Sequence, residues 1–410
     1  MTERSMSPRI AFAATVAMFL LASLASAGDL LQDKALRAAV VPDADLLLLQ
    51  DAAGWQKAPI QAKMEAIRAE VTAKAGPGGQ AGVIQARFDK FFVTLGIAKE
   101  DVGAMLASAR VRSLDGQQGN MTPQLALQQL GLVVALRVGK PLSLPQIRLA
   151  LSNAAAEDGM ELMFEKGEYK GAATLSAVRP DQPGKTTWLP RELTVALLDS
   201  GTAVYLGSAA DVKAALDRLA AGTPAAFTAA LKTAQDGAAP GTLTTLFFVP
   251  GDVLRAKAKE SAVKMQGQNP LFAGAMQAVG GLQSVVFGAK ATDRVALQLT
   301  GTFSAAQEGV QMKTMIDGMV LGMGKMLLMQ AVGKPIPFIE SLASRQEGNA
   351  VSLVAELTEE DCRALIELQA KGAQGFPGAP GAPAGVPAAP QAAPAAAPAA
   401  APAAPAAPAK

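Results

Sequence analysis

Few residues in this chain are of types that do chemistry. The stretch "LTVALLDSGTAVYLG" (193–207) sets Asp199 before Ser200, Gly201 and Thr202, between two apolar runs, as in the catalytic loop of an aspartic protease. That chemistry needs two carboxylates sharing one proton, one acting as base while the other polarises the carbonyl. Asp199 is the candidate acid. The corresponding stretch later in the chain, "SLASRQEGNAVSLVAEL", offers Gln346-Glu347-Gly348, with its carboxylate one residue out of register and no Ser or Thr after it. A second chain could supply the missing Asp only in an all-β protease, whereas here a capped helix follows the turn closely. Asp, Ser and Gly are ordinary hairpin-turn residues, so Asp199 is expected to turn a corner between two strands.

A second group is "MKTMIDGMVLGMGKMLLMQ" (312–330), where Met312, Met315, Met319, Met323 and Met326 recur at spacings of three and four and share one helical face. Soft thioethers hold Cu(I), so these are the candidate metal ligands. Earlier in the chain Leu151, Ala154 and Ala155 align with Met312, Met315 and Ile316. A face that is Leu and Ala in one place and Met in the other reads as core. A hydrophobic-ligand cavity lined by the same methionines stands between the two readings. No resident cofactor is expected.

The remaining motifs are weaker. Gly184-Lys185-Thr186 ends like a phosphate-binding loop, but Arg179 stands where its first glycine belongs, and the stretch lies between strands. "EKGEYKG" (165–171) reads as a hairpin tip. Cys362 sits in the first turn of a helix, where the dipole favours thiolate. It also lies on that helix's apolar face, which favours a structural, buried thiol.

Composition removes whole classes. With 0 His, Ser-His and Cys-His activation, His-ligated zinc and imidazole proton shuttling are excluded. With 1 Cys no intramolecular disulfide forms. Charges nearly cancel at +2 and aromatics are 4%, which leaves no footprint for nucleic acid.

The elements that position these residues follow one pattern used twice. "DADLLLLQ" (43–50) opens the first copy and "TLTTLFFV" (242–249) the second. Each continues through helices to two strand-like runs, "ASARVRSL" and "LGLVVALRVG" in one, "LQSVVFGAKA" and "RVALQLTGTF" in the other. The spacings Ser143–Gln146 and Ser304–Gln307 predict capping boxes at the next helices, and Ser208–Asp211 and Thr358–Asp361 predict caps at the last ones. The last helices then align Val212, Ala215, Leu216 and Leu219 with Cys362, Leu365, Ile366 and Gln369.

The fold class expected is α+β: two tandem, duplicated halves, each a mainly antiparallel sheet with helices packed on it, followed by a disordered Ala/Pro-rich tail. Residues 1–27 read as a signal peptide, with Arg4 and Arg9, an apolar run (10–24) and Ala25-Ser26-Ala27 for cleavage. An N-terminal segment follows (28–42), then the first repeat (43–222), a Gly/Pro/Ala-marked linker (223–240) and the second repeat (241–371). The tail (372–410) holds almost only Ala, Pro and Gly and is too poor in apolar bulk to build a core. No transmembrane helix is expected after signal removal. These features predict a protein exported by the general secretory route to the periplasm or beyond. Its expected role is non-enzymatic binding or scaffolding, with the tail contacting an envelope component; the alternative is a carrier of a hydrophobic ligand or Cu(I) on the Met-rich helix, 305–330.

Overall fold

The structure is a computed structural model that describes residues 30–42, 44–75, 90–111, 130–180, 190–222, 242–265, 270–323, 338 and 341–372. In chain order its elements are α1 (Lys34–Ala38), β1 (Leu46–Gln50), α2 (Ala52–Gln56), α3 (Pro59–Ala75), β2 (Val102–Val111), β3 (Leu130–Val138), α4 (Leu144–Glu157), β4 (Met163–Tyr169), β5 (Ala172–Val178), β6 (Glu192–Leu198), β7 (Ala203–Gly207) and α5 (Ala209–Ala221). After these come β8 (Thr244–Phe248), α6 (Asp252–Met265), α7 (Pro270–Gly281), β9 (Leu282–Ala291), β10 (Val295–Phe303), α8 (Ala306–Met315), a π-helical turn (Ile316–Met323), β11 (Ala343–Glu347), β12 (Ala350–Leu357) and α9 (Glu359–Gly372). This is an α+β protein, as the sequence predicts.

The strands of the described residues form one antiparallel 12-stranded sheet, in the order β11-β12-β10-β9-β8-β1-β2-β3-β7-β6-β5-β4. Where the sequence suggests a sheet in each half, the halves meet edge to edge through β1 and β8, with Leu48 opposite Leu246. Outward from that seam the order is the same on both sides: β1-β2-β3-β7-β6 in the first half and β8-β9-β10-β12-β11 in the second. The hairpin β4–β5 extends the first half beyond that common set.

Because strand side chains alternate between faces, the register assigns each residue to a front or a back. Leu49, Leu106, Ala135, Tyr205 and Ala196 form one front row across the first half. Phe247, Val286, Thr300, Ser352 and Arg345 form the corresponding front row across the second. The first-half front row belongs to a core that includes Leu36 of α1 and Val212 and Leu216 of α5. On the back, α4 covers the first half through Ile147 and Leu151. Trp55, Ile60 and Met64 cover β9 and β10 of the second half, joined by Cys362 of α9.

The helix starts use the polar groups expected of them, with one shift. The Ser143 N–H donates to Gln146 Oε1 at 3.0 Å. Asp211 N–H donates to Ser208 Oγ at 3.2 Å, and Thr358 N–H to Asp361 Oδ2 at 2.8 Å. The box expected between Ser304 and Gln307 instead uses Glu308, whose Oε2 accepts from the Ala305 N–H at 3.1 Å and the Ser304 hydroxyl at 2.6 Å. A carboxylate is the stronger acceptor and complements the helix dipole.

The last helices diverge more. Both carry the aligned apolar positions, yet α5 lies on the front and α9 on the back. There α9 packs along α3, with Lys63 3.0 Å from Glu359 and Arg363 2.6 Å from Glu70.

Candidate functional site

Asp199 stands at the corner between β6 and β7. Asp199 and Ser200 both have left-handed backbone angles, φ 48° and 57°, followed by Gly201 at 92°. Two positive φ values in succession make a tight turn that matches strand twist, and a side chain at Gly201 would strike the Leu142 carbonyl. The Asp199 carboxylate is half exposed and pairs with Arg137 Nη1. The same guanidinium holds Asp33, with Nε to Oδ2 at 2.7 Å and Nη2 to Oδ1 at 3.0 Å. Both carboxylates are thus bonded to one guanidinium and are not arranged to share a proton. Glu347, the other expected partner, lies on β11 in the second half.

The Asp33–Arg137 pair has a structural task. Asp33 caps α1 by accepting from the Ala35 and Leu36 amides at 2.8 and 3.1 Å. Burial pushes its carboxyl up, but Arg137 and those amides together hold it below the usual carboxylate range. Further along, the Tyr205 hydroxyl donates to the Ala35 carbonyl at 2.6 Å and Arg218 Nε to the Ala38 carbonyl at 2.9 Å. The Val41 N–H donates to Ser108 Oγ at 2.8 Å. Burial pushes the Tyr205 hydroxyl up, so it stays a neutral donor. Residues 30–41 are therefore fastened to the front of the first half along their length.

The methionines are placed only in part. Met312 and Ile316 pack against the cluster of Leu282, Phe303 and Val351, and Met315 is half-buried. Leu151, Ala154 and Ala155, which the sequence aligns with them, are buried in the back core of the first half. Met319 and Met323 lie in the π-helical turn, and Met326 lies outside the described residues. Lys313 and Ser344 bond Asp317, tying the start of that turn to α8 and β11 and holding its carboxyl below the usual range. Among the described residues no three His, Cys, Asp or Glu side chains gather as a metal site.

Of the weaker motifs, Gly184-Lys185-Thr186 falls outside the described residues. Of "EKGEYKG", expected as a hairpin tip, Glu165–Tyr169 belong to β4 and pair with β5, and only Lys170 and Gly171, both at positive φ, turn the corner. Burial, the largest influence, pushes the Cys362 thiol up to about 11, and Asp361 adds to the shift. The helix start therefore leaves it a buried thiol, not a thiolate.

Sequence reasoning missed a concavity on the sheet. It is about 450 Å³, lies on the front of the second half, and is lined by Lys290, Gln298, Thr300, Ser341, Arg345 and Glu356 together with small apolar residues. Position by position, Thr300 stands where the first half has Ala135, Ser352 where it has Tyr205, and Arg345 where it has Ala196. The signal was in the alternation of β10. "VALQLTGTF" places Ala296, Gln298, Thr300 and Thr302 on one face, whereas "LGLVVALRV" of β3 is apolar on both faces except at Arg137. Thr300 Oγ1 and Ser352 Oγ are 2.9 Å apart, so part of this face bonds to itself.

No family model matches the chain, and no curated protein matches it. One solved structure, TP0453 in its crystal form I, aligns with 81% of this chain and 96% of its own at 10% identity and a TM-score of 0.36. That likeness is too slight to bear on what the site does. No helix among the described residues is long and apolar enough to cross a membrane.

Proposed function

We propose that this is an exported, non-enzymatic binding or scaffolding protein of the cell envelope, and that the open front of its second half is the binding surface. The observation that carries this reading is the exchange of a sealed apolar row for a concave polar one at corresponding positions of the sheet. Export to the periplasm or beyond rests on residues 1–27, and contact with an envelope component rests on the Ala/Pro tail, 372–410. The Asp199 ion pair with Arg137 favours binding over peptidase chemistry.

A photo-crosslinking residue placed at Gln298 in the producing cell is expected to give adducts of defined mass. The same residue at Glu168, on the exposed β4 edge, is expected to give none. Equal labelling at both positions, or none at either, contradicts the reading. Deleting 372–410 is expected to disturb localisation without changing what is captured at 298.

A second reading, a carrier of a hydrophobic ligand or Cu(I), is favoured by the π-helical turn directly after the half-buried Met312 and Met315, since such turns recur at functional sites. Native mass spectrometry of the mature protein tests it. Extra mass lost on substituting Met315 and Met319 supports the carrier, and a bare mass removes it.

A further inference from the structure

We propose that the open front of the second half docks a short acidic polypeptide segment of a partner protein, much as residues 30–41 dock on the front of the first half. The proposal rests on the binding function inferred above and adds the chemistry of the partner.

The first half shows how this sheet receives a peptide. A cation on the front takes a carboxylate, Arg137 on Asp33, while side-chain donors take the segment's carbonyls, Tyr205 at Ala35 and Arg218 at Ala38. Apolar residues between them are then sealed: Leu36 is 1% exposed and Ala39 0%. The second half offers the same kinds of group without an occupant among the described residues. Lys290 on β9 and Arg345 on β11 stand three strand spacings apart, about 14 Å across the sheet. Neither has an ion-pair partner among the described residues. Glu356, the acidic residue of the concavity, already faces Arg294 at 3.6 Å. Unpaired positive charge therefore remains on both sides of a small-residue floor that includes Ala296, Ala343 and Val354.

These features select among occupants. Among the described residues the concavity has no aromatic lining side chain on which a sugar ring or a nucleobase could stack. Its concave shape does not fit a membrane plane. A polypeptide brings carboxylates at adjustable spacing, a carbonyl for the second N–H of Gln298, whose first donates to Thr300 Oγ1 at 3.2 Å, and small apolar side chains for the floor. Charge pairs at such a rim set specificity and association rate, and they weaken with salt.

The test uses the mature full-length protein and a fluorescein-labelled peptide of residues 30–41 carrying K34E and R37E, read by anisotropy. A control peptide keeps Lys34 and Arg37 and carries D33N. The acidic peptide is expected to bind and to weaken as salt rises, while the control does not bind. The double variant K290E/R345E is expected to lose at least tenfold in affinity, and K166E on β4 to lose nothing. Among the described residues Lys290 and Arg345 make no ion pair, so the double variant is expected to unfold close to the wild-type temperature. Equal binding by K290E/R345E, or equal binding of the control peptide, overturns the proposal. If the acidic peptide fails while position 298 still crosslinks in the cell, the acidic-segment proposal falls and the binding function stands. If both fail, both fall.

Discussion

On the front of the first half, Leu49, Leu106, Ala135, Tyr205 and Ala196 are each 0% exposed beneath α1 and α5. On the front of the second half the corresponding row starts the same way, with Phe247 at 0% and Val286 at 8%, and then turns to Thr300, Ser352 and the exposed Arg345. Both rows belong to one sheet with one order of strands. Strand topology therefore does not decide whether a face is core or surface; the residues at every second position do. The closing helix follows that choice. Over an apolar front, α5 buries Val212 and Leu216, whereas α9 turns to the back and buries Cys362 against Leu357 and Val295.

The strongest way to break the comparison is to make the same kind of cut on each side. Leu106→Ala removes a wholly buried side chain, and chemical denaturation is expected to show a loss of about 2–5 kcal/mol. Thr300→Ala removes the hydrogen bonds with Ser352 and Gln298 and is expected to cost about 1 kcal/mol. Equal losses would mean that the second front is buried as deeply as the first.

Tyr205→Phe probes the fastening of residues 30–41. It keeps the ring and leaves the Ala35 carbonyl without its donor, for an expected loss of about 1–3 kcal/mol. A value near zero would mean that the hydroxyl does not hold α1.

Asp33→Asn tests the cap and the ion pair together, with an expected loss of about 1 kcal/mol at neutral pH. The sign with pH is set by the depressed native carboxyl. Its stabilisation is present above the unfolded value of about 3.9 and is lost as pH falls through the lower native value. Wild type is therefore expected to approach Asp33→Asn in stability as the solution becomes strongly acidic. A gap that widens in acid would contradict the assignment.

The smallest effect is kinetic. With its thiol pushed up to about 11, Cys362 is expected to resist iodoacetamide at pH 8 in the native protein and to react on unfolding.

Much of the fold was legible because periodicity and caps are local. The run "LQSVVFGAKA" is β9 residue for residue, and the caps at Ser143, Ser208 and Thr358 all form. The joining of the halves was not legible, because β1 and β8 pair through residues far apart in sequence, and no local pattern encodes that seam. Residues 30–41 were passed over for a related reason. A helix as short as α1 has little stability of its own and exists through Arg137, Tyr205 and Arg218, all remote in the chain. The alternation in β10 was visible, but searching for nucleophiles and ligands drew attention to Asp199 and the methionines. A binding face built of Thr, Gln, Ser, Lys and Arg carries no motif.

The central claim, one front sealed and the other open, is tested most directly by cysteine accessibility in a Cys362→Ala background. Single cysteines at Ala135 and at Thr300 occupy corresponding positions of the two rows. The account predicts that the half-buried Thr300→Cys is alkylated by iodoacetamide in the native protein, while Ala135→Cys is slower by orders of magnitude until the protein unfolds. Equal protection at the two positions would contradict it, since the second front would then be covered like the first.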